Sequence, residues 1–264
     1  MKEFDVLVYG PTFCDLIFTG LPGMPQLGRE LFAKDLTLSL GGSAIVACGL
    51  RQLGLQVGLI ADLGSDPFSR LVWDLLEEKE VNRSLTRKHQ APLKQVTVAL
   101  SYPEDRAFVT RFEQPKIPID LGIIFKENNA KHLHICSFLA AVDNPVAAQI
   151  AHAASASVSG DFGWDEAALS DPKLMRILAE LDVFLPSKSE LLQMTGHSDL
   201  PQAVNKILST MSSGRLVVKD GAAGAFGYSQ TEQVHVPAIA IQPVETTGAG
   251  DAFDAGFIYA YLQK

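Results

Sequence analysis

The sequence predicts an α/β domain in which a central, mostly parallel sheet is covered by helices on both faces. With 264 residues, of which 47% are hydrophobic, the chain can bury the core of one large domain. Short apolar runs that end at glycine or proline alternate with segments whose apolar residues recur at helical spacing. This alternation is typical of parallel sheets flanked by helices, in which ligands bind beyond the carboxyl ends of the strands.

Each element has a local signal. The opening strand is an apolar run that ends at Gly10-Pro11, and Asp66-Pro67 provides a cap and a first-turn proline ahead of an apolar stripe. The predicted elements begin with a strand over residues 5–10, a helix over 43–53 with Ser43 as its cap, a strand over 57–61 and a helix from 66 to about 80. The alternation continues at residues 133–136, 147–154, 156–160, 174–181, 182–185, 191–194 and 216–218.

Two stretches, about 13–40 and 94–112, lack a long helical stripe. The second stretch instead alternates at strand spacing, with a turn over residues 102–105. Its apolar positions are Val96, Val98, Leu100, Phe108, Val109 and Phe112. We predict a small antiparallel β lid beside the ligand crevice, within a single domain that spans residues 1–264.

Composition excludes several classes of function. With 22 Lys and Arg against 30 Asp and Glu, the net charge is −8, which disfavours a nucleic acid partner. The chain has no run of 18 apolar residues, and its first residues include acids where a signal peptide needs an apolar core. We therefore expect no membrane association and a cytoplasmic location. The 3 cysteines lie far apart and form no CxxC pair, which indicates small buried residues rather than disulfides or zinc ligands.

The strongest candidate for chemistry is the glycine-rich segment over residues 245–256, which passes into an apolar helix. Successive small residues let backbone N–H groups converge on an anion, and a helix N-terminus adds partial positive charge. Asp251, at the start of that helix, could accept a proton from a hydroxyl group. The residues alone leave a second interpretation open, in which Asp251 is an ordinary cap and the glycines form an ordinary turn.

Residues 247–253, Thr-Gly-Ala-Gly-Asp-Ala-Phe, closely resemble the carboxyl-terminal signature of the ribokinase-like family, the PfkB-type carbohydrate kinases. Residues 41–44, Gly-Gly-Ser-Ala, and the helix after them resemble the family's first glycine signature. The resemblance implies a ribokinase-like fold whose lid comes from the two irregular stretches. It also implies transfer of the γ-phosphoryl group of ATP to a hydroxyl of a sugar-like substrate. In that reaction, Asp251 would be the general base, and the N–H groups of Gly248, Ala249 and Gly250 would form an anion hole.

The same resemblance implies the remaining site residues. The expected acceptor-binding residues are Asp15, Gly41, Gly42, Ser43, Val46, the lid residue Phe108, and Asp161, which is the remnant of an Asp-x-Asn-x-Arg segment. The expected nucleotide-binding residues are Ser187, Glu190, Lys219, Asp220, Gly221 and Gly224, with Mg²⁺ held near Glu190 through water. Glu245 and Thr247 mark the place of a monovalent cation, K⁺, in members that bind one.

Four departures from the family pattern leave alternatives open. Val46 and Ser187 replace family asparagines, and Glu245 replaces the usual aspartate. The chain also ends at Lys264, where family members continue through further helices that finish the purine pocket. The alternatives are a nucleoside kinase, a phosphosugar kinase and a non-catalytic ligand-binding homologue.

Other residues carry more than one interpretation each. Phe108 and Phe112 either cover the substrate, hold the lid together or pair two lids in a homodimer. His132 and His134 point to one face of a strand, as a metal pair could, although a structural role is more common for such pairs. Trp164 either stacks on a sugar or base or lies in the core.

Overall fold

The computed structural model describes the chain except for Met1 and residues 103–104, 165–168, 170, 212 and 243–245. Within the described residues, the strands are β1 (Lys2–Tyr9), β2 (Thr12–Thr19), β3 (Asp35–Gly42), β4 (Val57–Ile60), β5 (Asp62–Leu63), β6 (Arg87–Lys88), β7 (Val96–Ser101), β8 (Arg106–Arg111), β9 (Asn128–Ile135), β10 (Ser157–Gly160), β11 (Val183–Phe184), β12 (Arg215–Lys219), β13 (Ala225–Tyr228) and β14 (Gln233–Val236). The helices are α1 (Ser43–Gln52), α2 (Pro67–Glu78), α3 (Leu121–Glu127), α4 (Phe138–Asp143), α5 (Ala147–Ala153), α6 (Lys173–Leu178), α7 (Lys188–Thr195), α8 (Leu200–Thr210) and α9 (Ala249–Leu262).

The main sheet has the strand order β14-β13-β12-β11-β10-β9-β1-β4. The strands from β12 to β4 pair in parallel, and β13 and β14 add an antiparallel edge. The prediction of a mostly parallel sheet is therefore confirmed. Because the parallel strands share one direction, their carboxyl ends meet at a common edge, where ligands bind in sheets of this kind.

Alternate side chains of β1 enter two separate cores. Val6 and Val8 are buried on the face that α1, α2 and α9 cover. Leu7 is buried on the opposite face, under the helices from α3 to α8. Covered faces on both sides explain why the central strands are almost continuously apolar. In the described parts of the chain, no helix has both the length and the apolar character needed to cross a membrane.

The segments predicted as a lid form a second sheet, in the order β3-β2-β7-β8. The β2–β3 and β7–β8 pairs are antiparallel, as expected, but β2 and β7 are parallel. At the start of this parallel pair, the amide of Cys14 donates to the carbonyl of Gln95 at 3.0 Å. In the predicted turn, the Tyr102 amide donates to the Asp105 carbonyl at 2.9 Å. Pro103 and Glu104 lie outside the described residues.

Asp66 caps α2 as predicted and also ties it to a distant loop. One carboxylate oxygen accepts the amides of Phe68 and Ser69 at 3.1 and 3.0 Å. The other accepts the Ser69 hydroxyl at 2.8 Å and the Leu93 amide at 2.9 Å. Although burial opposes ionisation, these hydrogen bonds hold the pKa of Asp66 below its usual value.

We predict that Asp66→Ala lowers the free energy of unfolding by about 2–3 kcal/mol, because several buried donors lose their acceptor. Urea denaturation at neutral pH measures this loss. The lowered pKa means that the stabilisation is complete above the ordinary pKa and is lost as the pH falls through the lowered value. The difference between the variant and the parent should therefore shrink in acid.

The matched control is Asp199→Ala at the start of α8. Asp199 is exposed and caps with one hydrogen bond, from the amide of Gln202 at 3.0 Å. Its removal should cost less than about 1 kcal/mol. Equal losses in the two variants would show that the buried position of Asp66 adds nothing.

Candidate active site

Helices α1 and α9 cross closely and start side by side. A Cβ added at Gly49 would lie 2.8 Å from the Cβ of Ala255, so the helices touch through small residues. At their N-terminal ends, a Cβ added at Gly248 would lie 3.3 Å from the side chain of Ile45. The two glycine segments that precede these helices, far apart in the sequence, therefore meet at the carboxyl edge of the main sheet.

The first glycine segment lies directly against Asp15. A Cβ added at Gly41 would overlap the Asp15 carboxylate, and one at Gly42 would overlap the carbonyl of Pro11. Gly42 also has a φ of 62°, a conformation that favours glycine. The absence of side chains at both positions lets the main chain approach the buried carboxylate. The structure thus brings three of the predicted acceptor-binding residues together.

Phe108 lies on the same face of the lid as Asp15. Asp15 pairs with Thr97 across the lid sheet, and Phe108 pairs with Ala99. Because Thr97 and Ala99 are two residues apart on β7, their side chains and those of their partners share one face. The ring of Phe108 is 51% exposed. It is therefore available on the side of the lid from which an acceptor would be contacted.

The side chains of Ser43 and Val46 are buried. The Ser43 hydroxyl lies 2.7 Å from that of Thr12 and donates toward the carbonyls of Gly10 and Pro11 at 2.9 and 3.0 Å. It makes no capping hydrogen bond to α1, so the prediction of a Ser43 cap is wrong. Val46 is 1% exposed and packs in the core between the sheet and α1. Both side chains thus shape the loop and the core beneath the site.

The predicted anion hole lies at the N-terminus of α9. Gly248 is the residue before the helix and has a φ of 76°. The Ala249 amide donates to the carbonyl of Thr246 at 3.2 Å, which closes the turn that enters the helix. Gly250 and Asp251 follow in the first helical turn, where unpaired N–H groups and the helix dipole favour negative charge. Glu245 lies outside the described residues.

Asp251 has the protonation chemistry expected of a general base. Burial and the charges of Asp161 and Asp15, opposed by Lys219, together raise the pKa of Asp251 to about 7. A carboxylate that titrates near neutral pH can take a proton from a hydroxyl group and release it again. Asp251 thus lies at a helix N-terminus and has a pKa near neutral. The charge of Asp15, a predicted acceptor-binding residue, contributes to that pKa.

The Lys219 ammonium contacts the carboxyl groups of both Asp161 and Asp254 and lies close to Gly250. Its ammonium nitrogen lies 2.7 Å from Oδ2 of Asp161 and 3.1 Å from Oδ1 of Asp254. A Cβ added at Gly250 would lie 3.5 Å from the same nitrogen. Sequence reasoning assigned Lys219 to the nucleotide and Asp161 to the acceptor, and it gave Asp254 no role. A signal for Asp254 existed, because it follows Asp251 by one helical turn.

Ser187 and Glu190 form a capping box at the start of α7. The Ser187 amide donates to Oε2 of Glu190 at 2.7 Å, and the Glu190 amide donates to the Ser187 hydroxyl at 3.2 Å. Burial raises the pKa of Glu190, and the charge of Asp161 adds to this effect. Carboxylate oxygens are the ligands that Mg²⁺ prefers, and a cation held near Glu190 would favour its ionised form.

The loop predicted to hold the nucleotide is a tight turn. The Asp220 amide donates to the carbonyl of Gly224 at 2.9 Å, around a 3₁₀ turn at Gly221–Ala223. Gly224 has a φ of 94° and lies against the backbone of the β14 end, where a Cβ would overlap a carbonyl. The Asp220 carboxylate pairs with Lys188 at 2.9 Å. Four predicted nucleotide-binding residues, counting Lys219, thus lie together.

Cys136 borders the site and was missed by sequence reasoning. It follows β9 at the carboxyl edge, and a Cβ added at Gly10 would lie 3.1 Å from its Cβ. Burial raises the pKa of the Cys136 thiol well above its usual value, and the charges of Asp251 and Asp254 add to this effect. Its position directly after a predicted strand was the signal available in the sequence.

The histidine pair is structural. His132 and His134 are buried, and each bonds to the Ser159 hydroxyl, at 2.7 and 2.8 Å. Burial lowers their pKa values to about 3 and about 4, so both are neutral at physiological pH. Across the described part of the chain, no group of three His, Cys, Asp or Glu side chains could hold a metal ion. Trp164 is 60% exposed, so its interpretation as a core residue is wrong.

An open cleft lies beside residues 10–11, which precede β2. It lies between the end of β1, the lid and α4, and it shares Gly10 and Pro11 with the loop that Ser43 holds. The Tyr9 hydroxyl at its base accepts a hydrogen bond from Asn144 at 2.5 Å. Its other lining residues include Asp62, Gln95, Phe112, Ile119, Leu139 and Asp143. The cleft therefore offers apolar and aromatic surface with a few polar groups.

Comparison with known proteins agrees with this geometry. Residues 5–264 match the pfkB family of carbohydrate kinases. The chain belongs to this family. It is therefore a phosphotransferase of the sugar and nucleoside kinase type, with an alcohol group as acceptor.

Individual relatives support this membership across nearly the whole chain. The Arabidopsis thaliana protein named Probable fructokinase-7 is 30% identical over 279 residues, covering 97% of this chain and 78% of that protein. The Arabidopsis ribokinase solved with ribose and ATP superposes with a TM-score of 0.80 at 23% identity, covering 100% of this chain and 87% of that one. A proposed ribokinase II from E. coli, solved with ATP and Mg²⁺, gives a TM-score of 0.79 at 23% identity, with 99% and 86% coverage. These structures confirm the ribokinase-like fold.

We predict that Gly41→Ala raises the KM for the alcohol acceptor by about tenfold or more, because the new Cβ displaces the Asp15 carboxylate. Acceptor saturation kinetics measures the change. Gly256→Ala is the matched control, since a Cβ added there meets no atom within 4 Å. It should leave the KM unchanged. An unchanged KM in the Gly41 variant would separate Asp15 from acceptor binding.

Proposed function

We propose that the protein transfers the γ-phosphoryl group of ATP to a hydroxyl of a sugar or sugar-like acceptor. The observation that carries this proposal is that Asp251 lies in the first turn of α9 with a pKa of about 7, which the charge of Asp15 helps to raise. The Arabidopsis ribokinase with bound ribose and ATP supports both ligand classes. We retain the prediction of a cytoplasmic location, where ATP is available.

The proposed reaction depends on positioning and electrostatics. Asp15 and the backbone of Gly41 and Gly42 hold the acceptor hydroxyls, and Phe108 on the lid helps to exclude water. Asp251 takes the proton of the reacting hydroxyl as its oxygen bonds to the γ-phosphorus of ATP. The bond from that phosphorus to the bridging oxygen breaks, and ADP leaves. Backbone N–H groups of Gly248 and Gly250 stabilise charge on the transferring group, whereas the Ala249 amide closes the turn that enters α9.

The nucleotide is proposed to lie along the tight turn from Lys219 to Gly224. Mg²⁺ would be held through water near Glu190, beside Ser187, and would offset the negative charge of the phosphates. The acidic crowding at this edge supports that placement, as does the E. coli neighbour with ATP and Mg²⁺. A K⁺ site at Glu245 and Thr247 stays a prediction from the sequence.

A nucleoside acceptor is the second candidate, and the open cleft favours it. A sugar bound at Asp15 would place a substituent near Gly10 and Pro11, which the cleft shares. Phe112, Ile119 and Leu139 would then pack against an apolar or aromatic base. A free sugar would leave that surface uncovered, so acceptor selectivity distinguishes the two candidates.

We predict that Asp251→Asn lowers kcat by on the order of a hundredfold or more, because the amide cannot take the proton. The assay is ADP release with Mg·ATP and a panel of acceptors: ribose, fructose, deoxyribose, adenosine and fructose 6-phosphate. Stimulation by adenosine alone would identify a nucleoside kinase. Binding of an acceptor without ADP release in the parent protein would identify the non-catalytic homologue and contradict the proposal.

The same substitution should stabilise the protein. Between pH 3.8 and about pH 7, Asp251 is protonated in the native state and ionised in the unfolded state. Its burial therefore lowers the free energy of unfolding as the pH rises through this range. Asp251→Asn should therefore melt at a higher temperature than the parent at pH 8. Asp120→Asn, at the exposed start of α3, is the matched control and should change neither melting nor kcat. Near-normal turnover in Asp251→Asn would remove the general base from the mechanism.

We also propose a homodimer that forms through the lid face opposite Asp15. Leu38, Leu16, Val98 and Val109 pair in one row across the four lid strands, opposite the face that carries Asp15. Leu38 is 48% exposed and Val109 is 68% exposed, an apolar surface suited to pairing with a second copy.

We predict that Leu38→Asp combined with Val109→Asp converts a dimer into a monomer in light-scattering measurements, because the charges oppose burial of that face. Val234→Asp, at an exposed position of β14, is the matched control and should leave the mass unchanged. A monomeric parent protein would contradict the proposed interface.

A further inference from the structure

The Lys219 ammonium lies within hydrogen-bond distance of three carboxyl oxygens, one of Asp161 and two of Asp254. An ammonium group has three donors. One reaches Asp161 at 2.7 Å, and the nitrogen lies 3.1 and 3.3 Å from the two oxygens of Asp254. All three side chains are largely buried, and Asp254 is completely so. We call these residues the lysine cluster.

The lysine cluster connects three elements of the fold. Lys219 ends β12, Asp161 follows β10, and Asp254 lies in α9 one turn after Asp251. The Asp161 amide donates to the carbonyl of Ile135 at 3.0 Å, so its backbone is held at the sheet edge. The cluster therefore fastens the first turns of α9 to the carboxyl ends of the strands.

The two carboxyl groups of the cluster differ in proton affinity. Burial opposes ionisation of Asp161, but Lys219 and a hydrogen bond from Asp254 hold its pKa below the usual value. Burial and the charge of Asp161 raise the pKa of Asp254 well above its usual value. A proton held by this pair is therefore favoured on Asp254 rather than on Asp161. Lys219 and Asp161 form the ion pair of the cluster, beside Asp251.

We infer that Lys219 is a positioning residue of the phosphoryl-transfer site, which holds the start of α9 in place and offsets the charge of Asp161 beside Asp251. The ammonium lies directly under Gly250, so its removal would both release the helix start and leave Asp161 unopposed. This inference rests on the proposed function, in which Asp251 is the general base.

Charged and titratable groups face Asp251 from several elements. Asp15 belongs to the lid strand β2, Cys136 follows β9, Asp161 follows β10, and Lys219 ends β12. Lys219 itself faces Asp161, Asp254, Glu190, His134 and Cys136. Lys219 is the cation in this set, because burial keeps His134 neutral. Loss of its charge should therefore make Asp251 harder to ionise.

The first test is the pH dependence of kcat/KM in Lys219→Met. The parent enzyme should lose activity below about pH 7, where Asp251 becomes protonated. In the variant, this acid limb should move up by about one pH unit, with a roughly tenfold loss at pH 7 that recovers in alkali. Lys219→Arg keeps the charge and should restore most of the parental profile.

Asp161→Asn should shift the acid limb of the kcat/KM profile in the opposite direction. It removes the negative charge that raises the pKa of Asp251, so the acid limb should move down. This variant tests the inference even if Lys219→Met does not fold. A purely structural role for the cluster would lower activity in both variants equally at every pH, with no movement of the limb. That result would overturn the inference.

A direct titration separates this inference from the proposed function. The carboxyl carbon of Asp251 can be followed by NMR in the unliganded protein, in the parent and in both variants. If the titration midpoint of Asp251 moves in opposite directions in the two variants, the lysine cluster sets the proton affinity of Asp251. A midpoint that neither variant changes overturns that conclusion. Failure of the proposed function would instead appear as parental turnover in Asp251→Asn, whatever the titration shows.

Discussion

The close crossing of α1 and α9 is the constraint on which the site depends. Gly49 has no side chain at the point where Ala255 contacts it, so the helix axes come nearer than two ordinary residues would allow. The crossing places Gly248 against Ile45, and with it the helix N-terminus that would stabilise a phosphoryl group. A larger residue at either helix contact would separate the Gly41-Gly42 segment from the N-terminus of α9.

A second constraint is the concentration of acidic groups at the sheet edge. In this buried setting the charge of Asp161 raises the pKa values of both Glu190 and Asp251, so the proton affinity of each depends on its neighbours. Placing such groups together reduces stability, and it is found where a reaction needs tuned proton affinity. The neutral His132 and His134 lie below them and add no charge to the crowded region.

Local signals predicted much of the fold. The cap at Asp66 and the start of α2 depend on residues within a few positions, and both are confirmed. The glycine segments were recognised for the same reason, since their chemistry is carried by short continuous motifs. The predicted Ser43 cap is wrong because its hydroxyl donates instead to the carbonyls of Gly10 and Pro11, which are distant in sequence. The parallel pairing of β2 with β7 likewise joins segments with no local pattern in common.

The sequence by itself determined the strand and helix alternation, the family resemblance and the candidate base Asp251. Periodicity, capping and short motifs are properties of neighbouring residues, so they can be read along the chain. Only the tertiary structure decided that Lys219 joins Asp161 to Asp254, that Cys136 borders the site and that Trp164 is exposed. Burial and charge coupling arise from contacts between distant segments, and no local pattern encodes which segments will meet.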